Sequence, residues 1–483
     1  MRIAMITLAV LGLVAGCGGD APEPVPVAST AAIDPALARV VEDWSLPAML
    51  PGSALPDLSA VGGRKLLLAW TNSQPGRRHI LQFSSYDVGG ARWEAAPITI
   101  AVGSSMFVNW ADTPHISATP DGALWAHWLQ KNGDAPHAYD VWLSTSRDGG
   151  RNWSAPVSPH DDGTQTEHGF VSMWPQGTGT LGIAWLDGRN TAHTAHEGHG
   201  GAMDAAVDEA ADAAADATTD ATTDAAADAA AAASATSNAI AVTATASAVA
   251  PASGDPAAMT LRAANFDGAL RRSGDVEIDA SVCDCCQTSA AVTARGPLLV
   301  YRGRADGEVR DILATRLDGE AWTTPKAVHA DNWVMPACPV NGPSVAADGE
   351  TAVVAWYTAA DGDVPEVRIA HSGDAGDSFD PPVTLDRGEA VQGRVAVALG
   401  DGQAWVLWMR EEDGGQSLWL SRRSPDLVTE HERIGVAQLA GRGRGTGFPQ
   451  LAVAGGIAHV VWTDVQDGVP GLRGARIVPA PAR

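Results

Sequence analysis

The side chains in this sequence best able to do chemistry are four cysteines. Three fall in Val282-Cys283-Asp284-Cys285-Cys286-Gln287-Thr288, and the fourth in Pro336-Ala337-Cys338-Pro339-Val340-Asn341-Gly342. In an oxidising compartment thiols pair: three connectivities are open to four cysteines, and pairing within C-x-C or C-C is strained. At least one bridge from the Cys283/Cys285/Cys286 group to Cys338 is the first expectation there. Kept reduced, the same thiolates would make a soft metal site suited to Cu or Zn, with His115, His168, Met106, Met173 and Met335 as further ligands, although C-x-C-C is not a standard zinc spacing. His193, His196 and His199 form a separate histidine tract, of a kind that is usually solvated in a polar loop. A second concentration of chemistry is Tyr301-Arg302-Gly303-Arg304 with Glu308, Arg310 and Asp311. Guanidinium forks gathered in this way can grip a carboxylate, and Arg394 could join them from elsewhere in the chain.

What positions these groups is a repeat. Seven apolar stretches end in an aromatic residue: Trp70, Trp128, Trp185, Tyr301, Trp356, Trp408 and Trp462. Subtraction gives spacings of 58, 57, 116, 55, 52 and 54 residues, so one long gap interrupts an otherwise regular period. Each unit reads as four short strands, as in the second: His115 to Thr119, a Pro120-Asp121-Gly122 turn, Ala123 to Trp128, Asp140 to Ser144, and a strand after Trp153. Between the last two lies Ser146-Arg-Asp148-Gly-Gly150-Arg-Asn-Trp153, whose glycines supply the positive φ of a tight turn and whose aspartate can bond the turn amides. The octet recurs as Ser372, Asp374, Gly376 and Phe379, one residue longer as Ser85, Asp87, Gly90 and Trp93, and in part as Asp318, Gly319 and Trp322.

This S-x-D-x-G-x-x-W pattern resembles the Asp-box of the sialidase-like β-propellers. The resemblance covers residues 40 to 480 apart from the long gap, and specifies fold far better than activity. The expected architecture is all-β: a propeller over residues 39–483 of four-stranded antiparallel blades, seven by the count of units and six if one weak unit is miscounted, sialidases having six. The last unit lacks a fourth strand. Glu42 to Pro47 resembles Asn152 to Pro156, so the N-terminal segment is expected to supply that strand and close the ring.

The chain has 483 residues and a formal charge of −25, which argues against nucleic acid or an anionic membrane face as partner. Much of that charge sits in the long gap, where an aspartate recurs every fourth residue from Asp204 to Asp228 in an Ala/Thr background. A helix would line these like charges up at i,i+4, so residues 192–258 are read as a low-complexity insertion in the third blade, disordered or marginally helical. Residues 1–16 carry Arg2, an apolar run and Val14-Ala15-Gly16 before Cys17. This resembles a bacterial lipoprotein signal, which implies acylation of Cys17, residues 17–38 as a tether, and an exported chain held to a cell-envelope membrane by lipid. Export is what favours disulfides.

The family resemblance implies that Asp-boxes lie away from the active face. The opposite face gathers the loops leading into each inner strand and those following each marker aromatic, bringing Asp112, His115, His160, Glu167, His168, Arg394, Arg444 and the cysteines together with Arg302, Arg304 and Glu308. A sialidase needs guanidinium groups on the substrate carboxylate, a Tyr nucleophile with a Glu partner, and an Asp acid/base. Arg302, Arg304, Glu308 and Arg394 are the residues that this implies here. The family's F/Y-R-I-P arginine motif is absent, since Gly303-Arg304 follows Tyr301-Arg302, and there are four tyrosines to choose from: 86, 139, 301 and 357. The implied function is glycan recognition with exo-glycosidase activity, which requires no cofactor. The alternative is a non-enzymatic propeller scaffold or a metal-handling (copper) protein that uses the cysteines. Trp110 and Trp333, in loops leading into inner strands, are candidate platforms for a sugar face.

Overall fold

The computed structural model describes residues 38–73, 78–94, 96–196 and 258–480. Seven antiparallel sheets of four strands follow one another round a ring. The third, fifth and sixth blades are the most regular. They run His168–Gly177, Thr180–Asp187, Thr260–Asp267, Arg272–Asp279; then Ser344–Asp348, Thr351–Thr358, Glu366–Ser372, Val383–Arg387; then Val391–Gly400, Gln403–Glu412, Gly415–Arg423, Glu430–Gln438. In the first blade (Ser53–Val61, Lys65–Asn72, His79–Asp87) and the fourth (Ser289–Thr293, Gly296–Arg302, Ile312–Asp318) the outer strand is split into two short pieces. The second blade (Ile116–Ala118, Leu124–Lys131, Tyr139–Ser146) keeps only a single bridge, Leu143 to Val157, at its outer edge.

The seventh blade, Gln450–Ala454, Ile457–Gln466 and Val469–Pro479, takes its fourth strand from the N-terminal side. That strand is Arg39–Asp43, paired antiparallel from Arg39 with Pro479 to Asp43 with Ala475. It lies a few residues before the stretch that resembles the Asp-box flank. Trp44, just past it, is instead a plug, stacked on Trp93 at 5.1 Å and edge-on to Tyr86 at 5.0 Å. Ring closure of this kind leaves no sheet edge for another chain to extend at the joint.

Each apolar cluster straddles two neighbouring blades, so the core is distributed around the ring. Leu67, Phe83, Ile116 and Trp128 join the first and second blades, for example, and Val353, Ile369, Val406 and Trp408 the fifth and sixth. All seven marker aromatics are buried. Three of them reach back to an aspartate of the preceding blade: Tyr301 to Asp279, Trp356 to Asp331 and Trp408 to Asp386, each at 2.7 Å.

The Asp-boxes act in the same direction. The Ser146 hydroxyl donates to Asp148 at 2.9 Å and accepts from the Gly150 amide, while Asp148 accepts from the Asn152 amide. Those donors draw its carboxyl down to about 2. Ser372, Asp374, Gly376 and Ser378 repeat the pattern. Gly150, at φ +86°, and Gly376, at φ +89°, each press onto the preceding blade, where a Cβ would meet Phe83 or Leu298 at 2.5 Å. Trp153 stands edge-on to Phe83, and Phe379 packs with Leu298.

Two expectations fall outside the described residues or change at their edge. The signal, Cys17, nearly all of the tether and residues 197–257 of the insertion lie outside them. The described residues stop at His196 and resume at Ala258, between the second and third strands of the third blade. Arg189–His196 form a 3-10 helix that leads out of the blade, and Ala258 and Met259 are already buried, because the third strand needs apolar cover where it rejoins the sheet.

Gly150→Ala is expected to lower unfolding free energy by about 1–3 kcal/mol through strain and overlap with Phe83. Gly122→Ala, at φ +84° but with nothing within 4 Å, is expected to show the strain alone and a smaller loss. Chemical denaturation of the two variants checks the difference.

Candidate functional site

The seven inner strands surround a central channel, and the loops leading into them form its mouth. Three of these strands carry a bulge that holds a non-glycine residue at positive φ: Leu55 at 56°, Phe170 at 50° and Arg394 at 48°. A bulge re-aims the side chain it carries. Phe170 thereby lines a cavity of about 140 Å³ at the mouth, together with Asp112, Thr113, His115, Gln287 and Phe448. Below it the channel widens into about 260 Å³ lined by Asp57, Ser172, Thr288 and Gln450 among others. A larger cavity, about 440 Å³, lies off the axis between the third and fourth blades, with apolar walls including Ile278, Leu313 and Pro325. Its polar groups are already engaged, Asp279 by Tyr301, Asp311 by the Asn332 and Trp333 amides, and Arg304 by Glu308. The mouth is the more promising place, because its carboxylate is not fully engaged.

That carboxylate is Asp112. It is buried, and its Oδ1 has no hydrogen-bond partner. Burial raises its pKa to about 7, and Glu167 adds to the effect. Behind it the Tyr139 hydroxyl donates to Glu167 Oε1 at 2.6 Å and lies 3.3 Å from Asp112 Oδ2. Phe107 stacks on the Tyr139 ring at 4.2 Å, and burial with the two carboxylates pushes the phenol well above its usual range. Glu167 is also raised by burial, and Asp284 in the cysteine loop contributes to that rise. Local structure explains the meeting. Tyr139 opens the third strand of the second blade, Glu167 precedes the inner strand of the third, and the two form a bridge. Gly169 leaves the space, since a Cβ there would overlap Asp112 and touch Tyr139.

Beside this group lies a compact ionic network. The His160 and His168 rings stack at 3.7 Å, and His168 Nε2 is 3.2 Å from Asp162 and 3.7 Å from Asp187. Arg189 holds Asp187 through two 2.7 Å hydrogen bonds, and Thr164 fixes Asp162. The near-parallel stacking directs the two imidazole edges side by side. His115 belongs elsewhere, bonded to Asp57 at 2.8 Å.

The arginines expected to converge do not do so. Arg302 is buried and donates to the carbonyls of Arg310, Asn341 and Tyr357, with its guanidinium over Trp333. Arg394 is buried over Trp110 and donates to Thr446, Gly447 and Gly443, and burial brings its pKa down to about 10. Both are struts between neighbouring loops. Arg304 and Arg310 are joined through Glu308, at 2.8 and 2.6 Å. Trp110 and Trp333 are engaged by these guanidinium groups. Carbonyl oxygens of irregular loops need donors, and long cationic side chains supply them.

The bridge expected from Cys338 is not formed: all four cysteines are free thiols. Cys283 and Cys286 are buried with their sulfurs 3.2 Å apart, and Cys285 completes a trio within 4.8 Å. Cys285 also interacts with Cys338, which is exposed. Hydrogen bonds from the other two thiols hold Cys283 well below the usual thiol range, helped by Arg302 and Arg310, whereas Cys286 is pushed up by burial. Four of the five further ligands expected around them are elsewhere: Met106 packs between the first two blades, Met173 beside the channel, and His115 and His168 pair with aspartates.

Missing from the sequence reading was the grouping of Tyr139 with Asp112 and Glu167. Each was visible, as one of four tyrosines or as a residue of the loop face, but no spacing links positions 112, 139 and 167.

No protein-family model matches the chain, and no curated protein does either. Among solved structures it is similar to a protein of unknown function from Dyadobacter fermentans, at 12% identity and TM-score 0.48, over 92% of this chain and 100% of that one. It is also similar to a polysaccharide lyase, an ulvan lyase, at 13% and 0.41, over 76% and 78% of the two chains. A NanB sialidase from Streptococcus pneumoniae matches at 9% and 0.43, over 86% and 83%. At these identities and scores none of them assigns chemistry to this chain.

The raised carboxyl has a sign that can be measured. Folded Asp112 holds its proton up to about pH 7, whereas an unfolded aspartate releases it near 3.8. The folded state thus binds more protons between those values, and stability contributed at low pH is lost as pH rises through that window. The effect is of the order of 4 kcal/mol at most. Denaturation from pH 4 to 8 is expected to show this fall in the parent chain and a shallower one in Asp112→Asn.

Proposed function

We propose that the chain is an exported, lipid-anchored propeller that recognises a glycan at its channel mouth and cleaves it by acid catalysis. The observation that carries this reading is the Tyr139 hydroxyl held between Glu167, at 2.6 Å, and Asp112, at 3.3 Å. An acid that keeps its proton near neutrality at the wall of a polar cavity can protonate a glycosidic oxygen. Asp112 takes that part. Behind it the Tyr139–Glu167 pair positions that acid, the phenol donating to Glu167 and lying 3.3 Å from Asp112 Oδ2. Hydroxyl-rich ligands suit a mouth that mixes Gln287, Thr113 and His115 with the Phe170 and Phe448 rings. Because Arg302, Arg304 and Arg394 are engaged by carbonyls and carboxylates, the ligand is an uncharged sugar end and not a sialic acid.

Turnover of uncharged aryl glycosides and binding to a glycan panel test the reading. Asp112→Asn is expected to cut turnover at least about 100-fold and Tyr139→Phe by less, both with an unchanged folded circular dichroism spectrum, and the parent rate is expected to fall above about pH 7. Binding without turnover would remove the acid step and leave recognition. No binding to any glycan would sink the reading altogether. The anchor is tested separately: palmitate labelling in a bacterial host is expected for the parent chain and lost in Cys17→Ser.

A further inference from the structure

We propose that Cys283, Cys285, Cys286 and Cys338 form a thiolate centre for a thiophilic d10 cation, Cu(I) or Zn(II), on the channel face. The proposal stands independently of the glycan reading. Two loops from different blades build the centre. The first leads into the inner strand of the fourth blade and carries three of the cysteines; the second leads into that of the fifth and carries Cys338. The loops are locked together, since the Gly342 amide donates to Gln287 Oε1 at 3.0 Å and a Cβ on Gly342 would lie 2.1 Å from the Gln287 carbonyl. The Cys283 amide is fixed in turn by the Arg302 carbonyl at 3.0 Å.

The sulfur spacings suit an ion. Four sulfurs each about 2.3 Å from a tetrahedral zinc lie about 3.8 Å apart. The observed trio falls within 4.8 Å, with one pair at 3.2 Å. Three sulfurs gathered on one point can share one ion, whereas a single Cys283–Cys286 bond would leave Cys285 out.

A second, independent observation is the charge around the cluster. Arg310 is buried, and its Nε and Nη1 have no hydrogen-bond partner, although Nη2 is bonded to Glu308. A neutral disulfide would leave those two donors unmatched, whereas an anionic metal–thiolate group beside them offers them an acceptor charge. Ligand choice follows from softness: sulfur-only donors select Cu(I) and Zn(II) over Mg(II), Ca(II) or Mn(II). Exposed Cys338, beside Cys285, gives the ion a way in and out. On binding, protonated thiols release their protons to solvent, so affinity rises with pH.

The test uses the full chain, purified anaerobically and reduced, and titrated with Zn(II) or with Cu(I) against a competing chelator. Native mass spectrometry and thiolate-to-copper absorption are the readouts. One ion per chain is expected, and the arm that survives the stronger chelator identifies the metal. Cys283→Ser is expected to weaken binding at least about 100-fold, and Arg310→Gln by about tenfold. Cys283 is buried, so Cys338→Ser, at an exposed position, provides the control against a folding defect: at least about tenfold weaker binding with unchanged circular dichroism is expected. A reduced chain that binds neither ion, or one whose binding is the same in all three variants, overturns the proposal. So does a chain whose four thiols are all in disulfides as purified and which stays metal-free after reduction.

Discussion

Five residue pairs hold the ring shut. Arg39–Asp43 lie antiparallel to the last strand of the chain, and Trp44 is wedged between the seventh and first blades immediately afterwards. A propeller blade is half a core, because each apolar cluster here lies between two blades. Opening the joint would expose the two faces that meet there, including Leu66, Trp70 and Val461. The channel mouth exists only while all seven inner strands face one axis, so every functional arrangement depends on this pairing.

Between the other blades the same job is done by smaller devices pointing one way round the ring. An Asp-box glycine presses on the preceding blade, and a marker aromatic bonds an aspartate of that blade. Buried guanidinium groups tie the loops at the mouth. Arg302 and Arg394 meet at Asn341, the Arg302 guanidinium donating to its carbonyl and the Arg394 backbone amide to its side-chain oxygen. A charge placed this way is expensive to bury and is satisfied only if several carbonyls converge on it. The loops are thereby held in one arrangement, and the cations that secure them are not available to a ligand.

The result is a divided face. On one side, burial leaves Asp112 protonated near neutrality and clusters Glu167, Asp162 and Asp187 with two histidines. On the other, the neighbouring thiols together with Arg302 and Arg310 favour the anionic form of Cys283, while burial pushes the Cys286 thiol up. Asp284 interacts with both Glu167 and Cys283, so the two halves are electrostatic neighbours. Carbohydrate chemistry and soft-cation binding need these opposite environments, and each half of the face provides one of them.

The sequence by itself determined the repeat. The period, the Asp-boxes, the seven marker aromatics and the need for an N-terminal closing strand are local patterns, written in residues a few positions apart. They were legible because a turn with Gly at positive φ, or a strand that alternates, must be encoded where it occurs. The shared face of the cysteines, Arg302 and Asp112 followed from that register as well. Only the tertiary structure decided which of these groups touch. It joined Tyr139 to Glu167 and Asp112 across two blades, turned Arg302 and Arg394 inward to loop carbonyls, and left the four sulfurs as thiols beside Arg310. Such pairings depend on how loops of different blades cross the channel mouth, where bulges at Leu55, Phe170 and Arg394 re-aim side chains by geometry that no spacing in the chain records.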